Sequence, residues 1–258
     1  MRHLFIVGAQ RSGSTYLYNM LDGHPQVAMA KPVRPEPKFF MNDSLVARGK
    51  SYYESSYFPD RSERTLYLGE KGTSYIESMD AARKMLEYYP DARILMILRD
   101  PVVRAYSNYL FSVAHQLEEL TFKEALEAEL DRLKNAKFST SVTPYAYRKR
   151  GHFIDYIDAY LKVFNASQLE ILIFEEFVSD LASVQALYRW LGIDDSFAPE
   201  HLGQVFNPTT VKKEEQSEAF KNLALGYQAS IERLENYLGR RLDVWRQHHR
   251  KIISSITS

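Results

Sequence analysis

Ile94-Leu95-Met96-Ile97-Leu98 is an unbroken apolar run, and it is the strongest strand signal in the chain. A half-exposed strand alternates apolar and polar residues. A run without alternation suits a strand covered on both faces, as in a parallel sheet flanked by helices. His3–Val7, Val27–Ala30, Leu66–Leu68 and Leu169–Phe174 read as further strands. Between and after them lie helical patterns: one with Leu17, Met20 and Leu21 on one face, then Ala81–Tyr89, a helix begun by Pro101, Thr121–Leu133, Phe153–Phe164, Ala182–Leu191 and Glu218–Leu238. Lys31–Arg64, with four prolines and the aromatic residues Tyr52, Tyr53, Tyr57 and Phe58, reads as irregular. Strands alternating with helices predict an α/β fold, one domain over residues 1–258 with a mainly parallel central sheet.

Composition narrows the function. The 33 basic and 33 acidic side chains cancel, which argues against a nucleic-acid coat or a polybasic membrane protein. With no cysteine, disulfides, thiol nucleophiles and zinc–thiolate sites are excluded. The apolar run Leu4–Val7 is too short for a signal-peptide core or a membrane span. The expectation is a soluble, cytoplasmic protein. The seven histidines lack ligand spacing beside carboxylates, so no metal site is expected.

The first strand leads into Gly8-Ala9-Gln10-Arg11-Ser12-Gly13-Ser14-Thr15 and then a helix. Glycines let such a turn fold tightly, and N–H groups converge at the helix N-terminus, where an anion is favoured. Ser12, Ser14 and Thr15 add hydroxyl donors and Arg11 adds a charged fork. The spacing is that of a P-loop, but Ser14 holds the place of the phosphate-reaching lysine, which argues against a nucleoside triphosphatase. A second anion site is suggested at Arg99, at the carboxyl end of the buried strand, where open α/β sheets bind ligands. Ser107 lies about two turns into the following helix. Taken singly, Arg99 reads as a partner of Asp100, and Ser107 as an exposed helical serine.

Together these segments resemble the sulfotransferases that use 3′-phosphoadenosine 5′-phosphosulfate (PAPS). Gly8–Thr15 resembles that family's G-x-x-[RK]-[ST]-G-[ST]-[ST] loop. Leu98-Arg99-Asp100-Pro101-x2-Arg104-Ala105-Tyr106-Ser107-x-Tyr109 resembles its L-R-[ND]-P-x2-R-[AL]-x-S-x-[YF] segment. His24-Pro25, Gly151-His152-Phe153 and Phe174-Glu175-Glu176-Phe177 extend the resemblance. It implies a P-loop-like sulfotransferase fold in which Arg11, Ser12, Gly13, Ser14 and Thr15 hold the 5′ end of PAPS. Arg99 and Ser107 would then hold the 3′-phosphate. No metal is required, because PAPS has no triphosphate to chelate.

Pro35-Glu36-Pro37-Lys38-Phe39-Phe40 resembles the K-E-P-x-F-F segment of heparan-sulfate-type and related bacterial members, whose glutamate is the proposed general base. Pro35 replaces the lysine, leaving Lys31, Arg34 or Lys38 to supply its charge. Glu70-Lys71-Gly72-Thr73-Ser74-Tyr75 resembles E-K-[ST]-P-x-Y, without the proline and with Gly72 intervening, and implies that Lys71 faces the transferring sulfuryl group or the acceptor. Read without the family, Glu36 is a solvated loop carboxylate and Lys71 a surface lysine paired to Glu70. His24, directly before Pro25, reads as a structural cap. The Asn135–Arg150 stretch, with Tyr147, Arg148 and Arg150, reads equally as a flap near the cofactor or a solvated loop. Phe206–Lys213 is expected to close over the nucleotide.

The expected activity is direct in-line transfer of a sulfuryl group from PAPS to a hydroxyl or amine. Glu36 acts as base, and Arg11 with Lys71 stabilise the transferring group. The acceptor is a small molecule or saccharide, with no nucleic acid and no membrane insertion. The alternatives are a P-loop nucleotide kinase or phosphotransferase, and a non-catalytic nucleotide-binding module of the same fold. Sequence leaves the acceptor and the oligomeric state open.

Overall fold

A computed structural model describes residues 1–135, 143–178, 180–204 and 218–254. In chain order the elements are β1 (Arg2–Gly8), α1 (Ser14–Asp22), β2 (Val27–Met29), α2 (Asp43–Val46), α3 (Gly49–Tyr57), β3 (Tyr67–Lys71), α4 (Met79–Tyr88), β4 (Arg93–Leu98), α5 (Pro101–Ala114), α6 (Phe122–Asn135), α7 (Phe153–Tyr160), β5 (Leu169–Ile173), α8 (Phe174–Phe177), α9 (Leu181–Leu191), α10 (Glu218–Gly226), α11 (Gln228–Leu238) and α12 (Asp243–Ser254). The strands form one sheet in the order β2-β3-β1-β4-β5, every pair parallel. Residues Ile94–Leu98 of β4 have no exposed surface, as a strand covered on both faces requires. Each such side chain contributes about 1.5–3 kcal/mol on burial.

The chain divides into two compact units. The first comprises Met1–Leu98 and Ala159–Asn207. Its core packs Leu4, Ile6, Leu95 and Ile97 of the sheet against Leu17, Tyr18 and Leu21 of α1 and Val184, Leu187 and Leu191 of α9. A second group of rings, Phe39, Phe40, Tyr53 and Phe58, is buried, with Phe39 and Tyr53 centred 4.5 Å apart. The aromatic run from Tyr52 to Phe58 is therefore partly core. Its segment is not irregular, since α2 and α3 lie within Lys31–Arg64. The Asn42 side chain caps α2 by accepting from Ser44 and Leu45 N–H. These short, polar helices carry little periodic apolar signal.

Two other sequence expectations are corrected. β3 does not stop at Gly69 but runs through Glu70 and Lys71, paired with Phe5 and Ile6 of β1. Gly69 sits inside the strand because the Met29 sulfur lies 2.3 Å from where a Cβ would be. The expected helix Glu218–Leu238 is two helices meeting at Tyr227.

The second unit comprises Arg99–Asp158 and Pro208–Ser258. Tyr106 of α5 packs against Phe122 of α6 and Phe220 of α10 at centroid distances of 5.1 and 5.2 Å. The Tyr227 hydroxyl donates to the Arg148 carbonyl at 2.8 Å. Its ring occupies the space a side chain at Gly151 would fill. Asp100 caps α5 by accepting from Val102 and Val103 N–H at 2.9 and 3.2 Å. Its carboxylate also accepts from His248 Nδ1 at 2.7 Å and His249 Nε2 at 3.2 Å, on α12. Burial pushes the Asp100 carboxyl up, but the two imidazoles outweigh it and hold the group well below the usual carboxylate range.

Asp100, His248 and His249 form a cluster of metal-ligand type that sequence spacing does not reveal. Asp100 and the histidines stand 148 and 149 residues apart. In the described structure these groups are already joined by hydrogen bonds. Asp100→Ala removes the cap and leaves two histidines without their acceptor. It should cost about 3 kcal/mol of stability, read as a lowered thermal midpoint, with amide exchange in α12 accelerating ahead of the rest of this unit.

Candidate active site

The turn after β1 carries the first predicted group. Arg11 has φ 65° and Gly13 φ 90°, so two left-handed residues fold the chain back within three positions. For arginine that conformation is uncommon and marks a constrained loop. At Gly13 a Cβ would stand 2.2 Å from the Phe174 ring, so the close approach of α8 requires glycine. No side chain caps α1, and the N–H groups of its first turn have no carbonyl one turn back. The Ser12 hydroxyl is fully buried and without a hydrogen-bond partner among the described residues. A buried orphan hydroxyl is costly, and an anion seated on this helix N-terminus would give it an acceptor. The turn therefore fits a phosphate or sulfate group. Ser14 is buried, while Thr15 and Arg11 are half-buried.

The second group stands at the same carboxyl edge of the sheet. Ile6 of β1 pairs with Lys71 of β3, and Gly72 N–H donates to the Ile6 carbonyl at 3.0 Å. From there Gln10 Nε2 reaches Ser74 Oγ at 3.5 Å. Lys71 is buried, and its ammonium lies 3.1 Å from Glu36 Oε1. The family-free readings of both residues fail here, because Glu36 is 15% exposed and Lys71 pairs with it rather than with Glu70. Thr73 adds its N–H at 3.0 Å from Glu36 Oε2 and its hydroxyl at 3.1 Å. Lys71 thus supplies a cation beside Glu36 from β3. Lys31 is engaged elsewhere, 2.6 Å from Asp22 and 2.9 Å from the Tyr18 hydroxyl.

Side chains alternate along a strand, so Glu70 points away from Lys71. It is completely buried. Tyr53 and Tyr75 donate their hydroxyls to it at 2.7 and 2.5 Å. Phe39 N–H donates at 3.3 Å, and the Tyr75 oxygen in turn accepts from Phe40 N–H at 3.1 Å. This network anchors the chain three and four residues beyond Glu36. Burial pushes the Glu70 carboxyl up to about 7 even against those hydrogen bonds, and the charge of Glu36 adds to the rise.

In the second unit, Arg99 is half-buried just before α5, and Ser107 is buried on that helix. Ser107 is thus not the exposed serine that sequence alone suggests, and Asp100 commits its carboxylate to α5 and the histidines. The basic stretch is a packed segment from residue 143 onward. Tyr147 is buried and donates to Glu118 at 2.9 Å. Buried Arg150 donates to the Thr143 carbonyl at 2.6 Å and to Asn108 at 3.3 Å. Glu129 of α6 accepts from Arg148 and Lys149 N–H at 2.7 and 2.8 Å. The flap reading therefore does not hold for Tyr147 and Arg150. Phe206–Lys213, expected over the nucleotide, lies outside the described residues. His24 is structural: Nδ1 accepts from Gln26 N–H at 3.1 Å, which leaves Nε2–H to donate to the Asp194 carbonyl at 2.9 Å.

Comparison with known proteins agrees with this architecture. The chain matches the Sulfotransferase domain family over residues 1–240, and it belongs to that family. It is 28% identical over 206 residues to bifunctional heparan sulfate N-deacetylase/N-sulfotransferase 1 of Caenorhabditis briggsae, covering 77% of this chain and 23% of that protein. With the mouse protein of the same name it shares 29% over 214 residues, 80% of this chain and 23% of the relative. The chain thus spans less than a quarter of these relatives' length. A crystal structure of a sulfotransferase from Alicyclobacillus acidocaldarius superposes with a TM-score of 0.76 at 27% identity, covering 95% of this chain and 99% of the other. The sulfotransferase domain from the curacin biosynthetic pathway shares the fold at 13% identity, with a TM-score of 0.52 and coverage of 94% and 99%. Among the described residues no helix is long and apolar enough to cross a membrane.

Glu70 makes stability depend on pH. Between the ordinary value of 4.5 and about 7 the folded chain holds a proton on Glu70 that the unfolded chain has released. The folded state therefore binds more protons, and stability falls as pH rises through that window. The thermal midpoint should decline from about pH 5 to about pH 7.5 in the wild type, and Glu70→Gln should remove that part of the decline.

Proposed function

We propose that residues 1–258 act as one PAPS-dependent sulfotransferase domain that moves a sulfuryl group to an amine or hydroxyl, with Glu36 as general base. The observation that carries this reading is the Glu36–Lys71 pair at 3.1 Å, set at the sheet edge beside an anion-fitting turn. The Arg11–Thr15 turn would hold the 5′ end of PAPS, and Arg99 with Ser107 the 3′-phosphate. PAPS supplies an activated sulfuryl group and an anionic leaving group.

The protein's own part is positioning and charge. Glu36 takes the proton of the acceptor as the new bond forms. Once Glu36 is neutral its hold on Lys71 weakens, and the ammonium becomes available to negative charge developing nearby. Arg11 adds a second cation at the turn. Pro35 and Pro37 restrict the backbone on either side of Glu36, so less freedom is lost in placing it. The relatives named as heparan sulfate N-sulfotransferases make a saccharide amine the first acceptor class to test, with small-molecule alcohols and amines next. A cytoplasmic setting fits a chain without cysteine.

Calorimetry with adenosine 3′,5′-bisphosphate should show binding, and Arg99→Ala should weaken it at least about tenfold, as loss of a charged hydrogen bond predicts. Absence of binding, or an unaffected Arg99→Ala variant, overturns the cofactor assignment. With an acceptor found by mass-spectrometric screening against PAPS, Glu36→Gln should keep cofactor affinity and lose turnover by roughly 10²–10⁴-fold. Unchanged turnover would sink the base assignment.

A further inference from the structure

We infer that Thr73 is the positioning residue of this site: its N–H and hydroxyl, acting with Lys71, orient the Glu36 carboxylate for proton transfer. The inference rests on Glu36 being the base. Thr73 N–H lies 3.0 Å from Oε2, and the hydroxyl lies 3.1 Å from Oε2 and 3.3 Å from Oε1. Lys71 stands 3.1 Å from Oε1. A lone lysine fixes one oxygen of a carboxylate and leaves its plane to turn. Donors on both oxygens define that plane.

The count of lone pairs supports a working arrangement. An ionised glutamate offers about four acceptor directions. The Thr73 N–H, the Thr73 hydroxyl proton and the Lys71 ammonium take three. One direction remains for an acceptor N–H or O–H.

A threonine in a turn ordinarily bonds to backbone close by in sequence. Thr73 lies in the turn closed by Tyr75 N–H on the Gly72 carbonyl at 2.9 Å, yet it reaches a carboxylate 37 residues away. That turn follows β3 directly, so the Thr73 N–H is aimed by the sheet. Of the three departures from the family pattern, at Pro35, Gly72 and Thr73, two involve Glu36 or its direct neighbour. Pro35 removes a cation next to Glu36, and Thr73 replaces a proline, which has no N–H or hydroxyl to give.

Thr73→Val keeps the side-chain shape and the backbone N–H and removes the hydroxyl. With the acceptor found by screening, kcat should fall about 10–100-fold, as for a slightly misplaced catalytic group. The KM for PAPS and the Kd for adenosine 3′,5′-bisphosphate should stay within about twofold, which also reports intact folding, and Thr73→Ser should recover most of the loss. In a Glu36→Gln background, Thr73→Val should cost nothing further, because residues acting as one unit are not additive. An unchanged kcat in Thr73→Val, an equal loss in the Glu36→Gln background, or no recovery with serine overturns the positioning role. Full turnover in Glu36→Gln alone, or no acceptor sulfated by the wild type, overturns instead the proposed function on which it stands.

Discussion

Two ionisable side chains end a buried strand, and the loop that faces them is built to satisfy them. Glu70 and Lys71 lie on opposite faces of β3, both almost without solvent. A buried charge without a partner is far more costly than a buried hydrogen bond is rewarding. Glu70 is answered by two tyrosine hydroxyls and the Phe39 N–H. Lys71 is answered by Glu36. Both answers come from the same stretch of chain, Glu36 to Phe40, or from rings packed against it. The loop that carries the proposed base is thereby tied to the sheet from both faces.

This arrangement explains how a proline-flanked segment with little regular structure holds the Glu36 carboxylate in place. Precision in a loop is gained from its anchors. Here the anchors are Glu70 and Lys71 at the end of β3 and Tyr75 in the turn after it. The adjacent turn at Arg11–Gly13 follows a similar logic. Its left-handed residues and the contact of Gly13 with Phe174 fix the backbone before any ligand arrives, so little ordering remains to be done on binding.

Much of the fold was legible because it rests on local pattern. β4 announces itself as an apolar run, and the strand–turn–helix at Gly8–Thr15 shows the spacing of an anion-binding loop. The end of β3 was hidden because Glu-Lys in a buried strand contradicts the apolar pattern, and only parallel pairing with β1 reveals it. α2 and α3 were hidden because short, polar helices have weak apolar periodicity. At the site, Glu36 and Lys71 came from resemblance, while their contact across 35 residues of chain is a property of the fold. At residue 73 local sequence shows only the absence of a proline. The bonds of Asp100 to two histidines 148 and 149 residues away leave no signal in local sequence.

The link between Asp100 and α12 bears on where the functional unit ends. The family match stops at residue 240, and a boundary drawn there would remove α12 entire. Yet α12 carries Trp245, buried against Phe153, and the two imidazoles that hold the carboxylate next to Arg99. A chain trimmed to the matched length would keep every motif residue and lose both imidazoles that bond to Asp100, the cap of α5. The last helix, beyond the residues the family model matches, belongs to the packing that holds the start of α5.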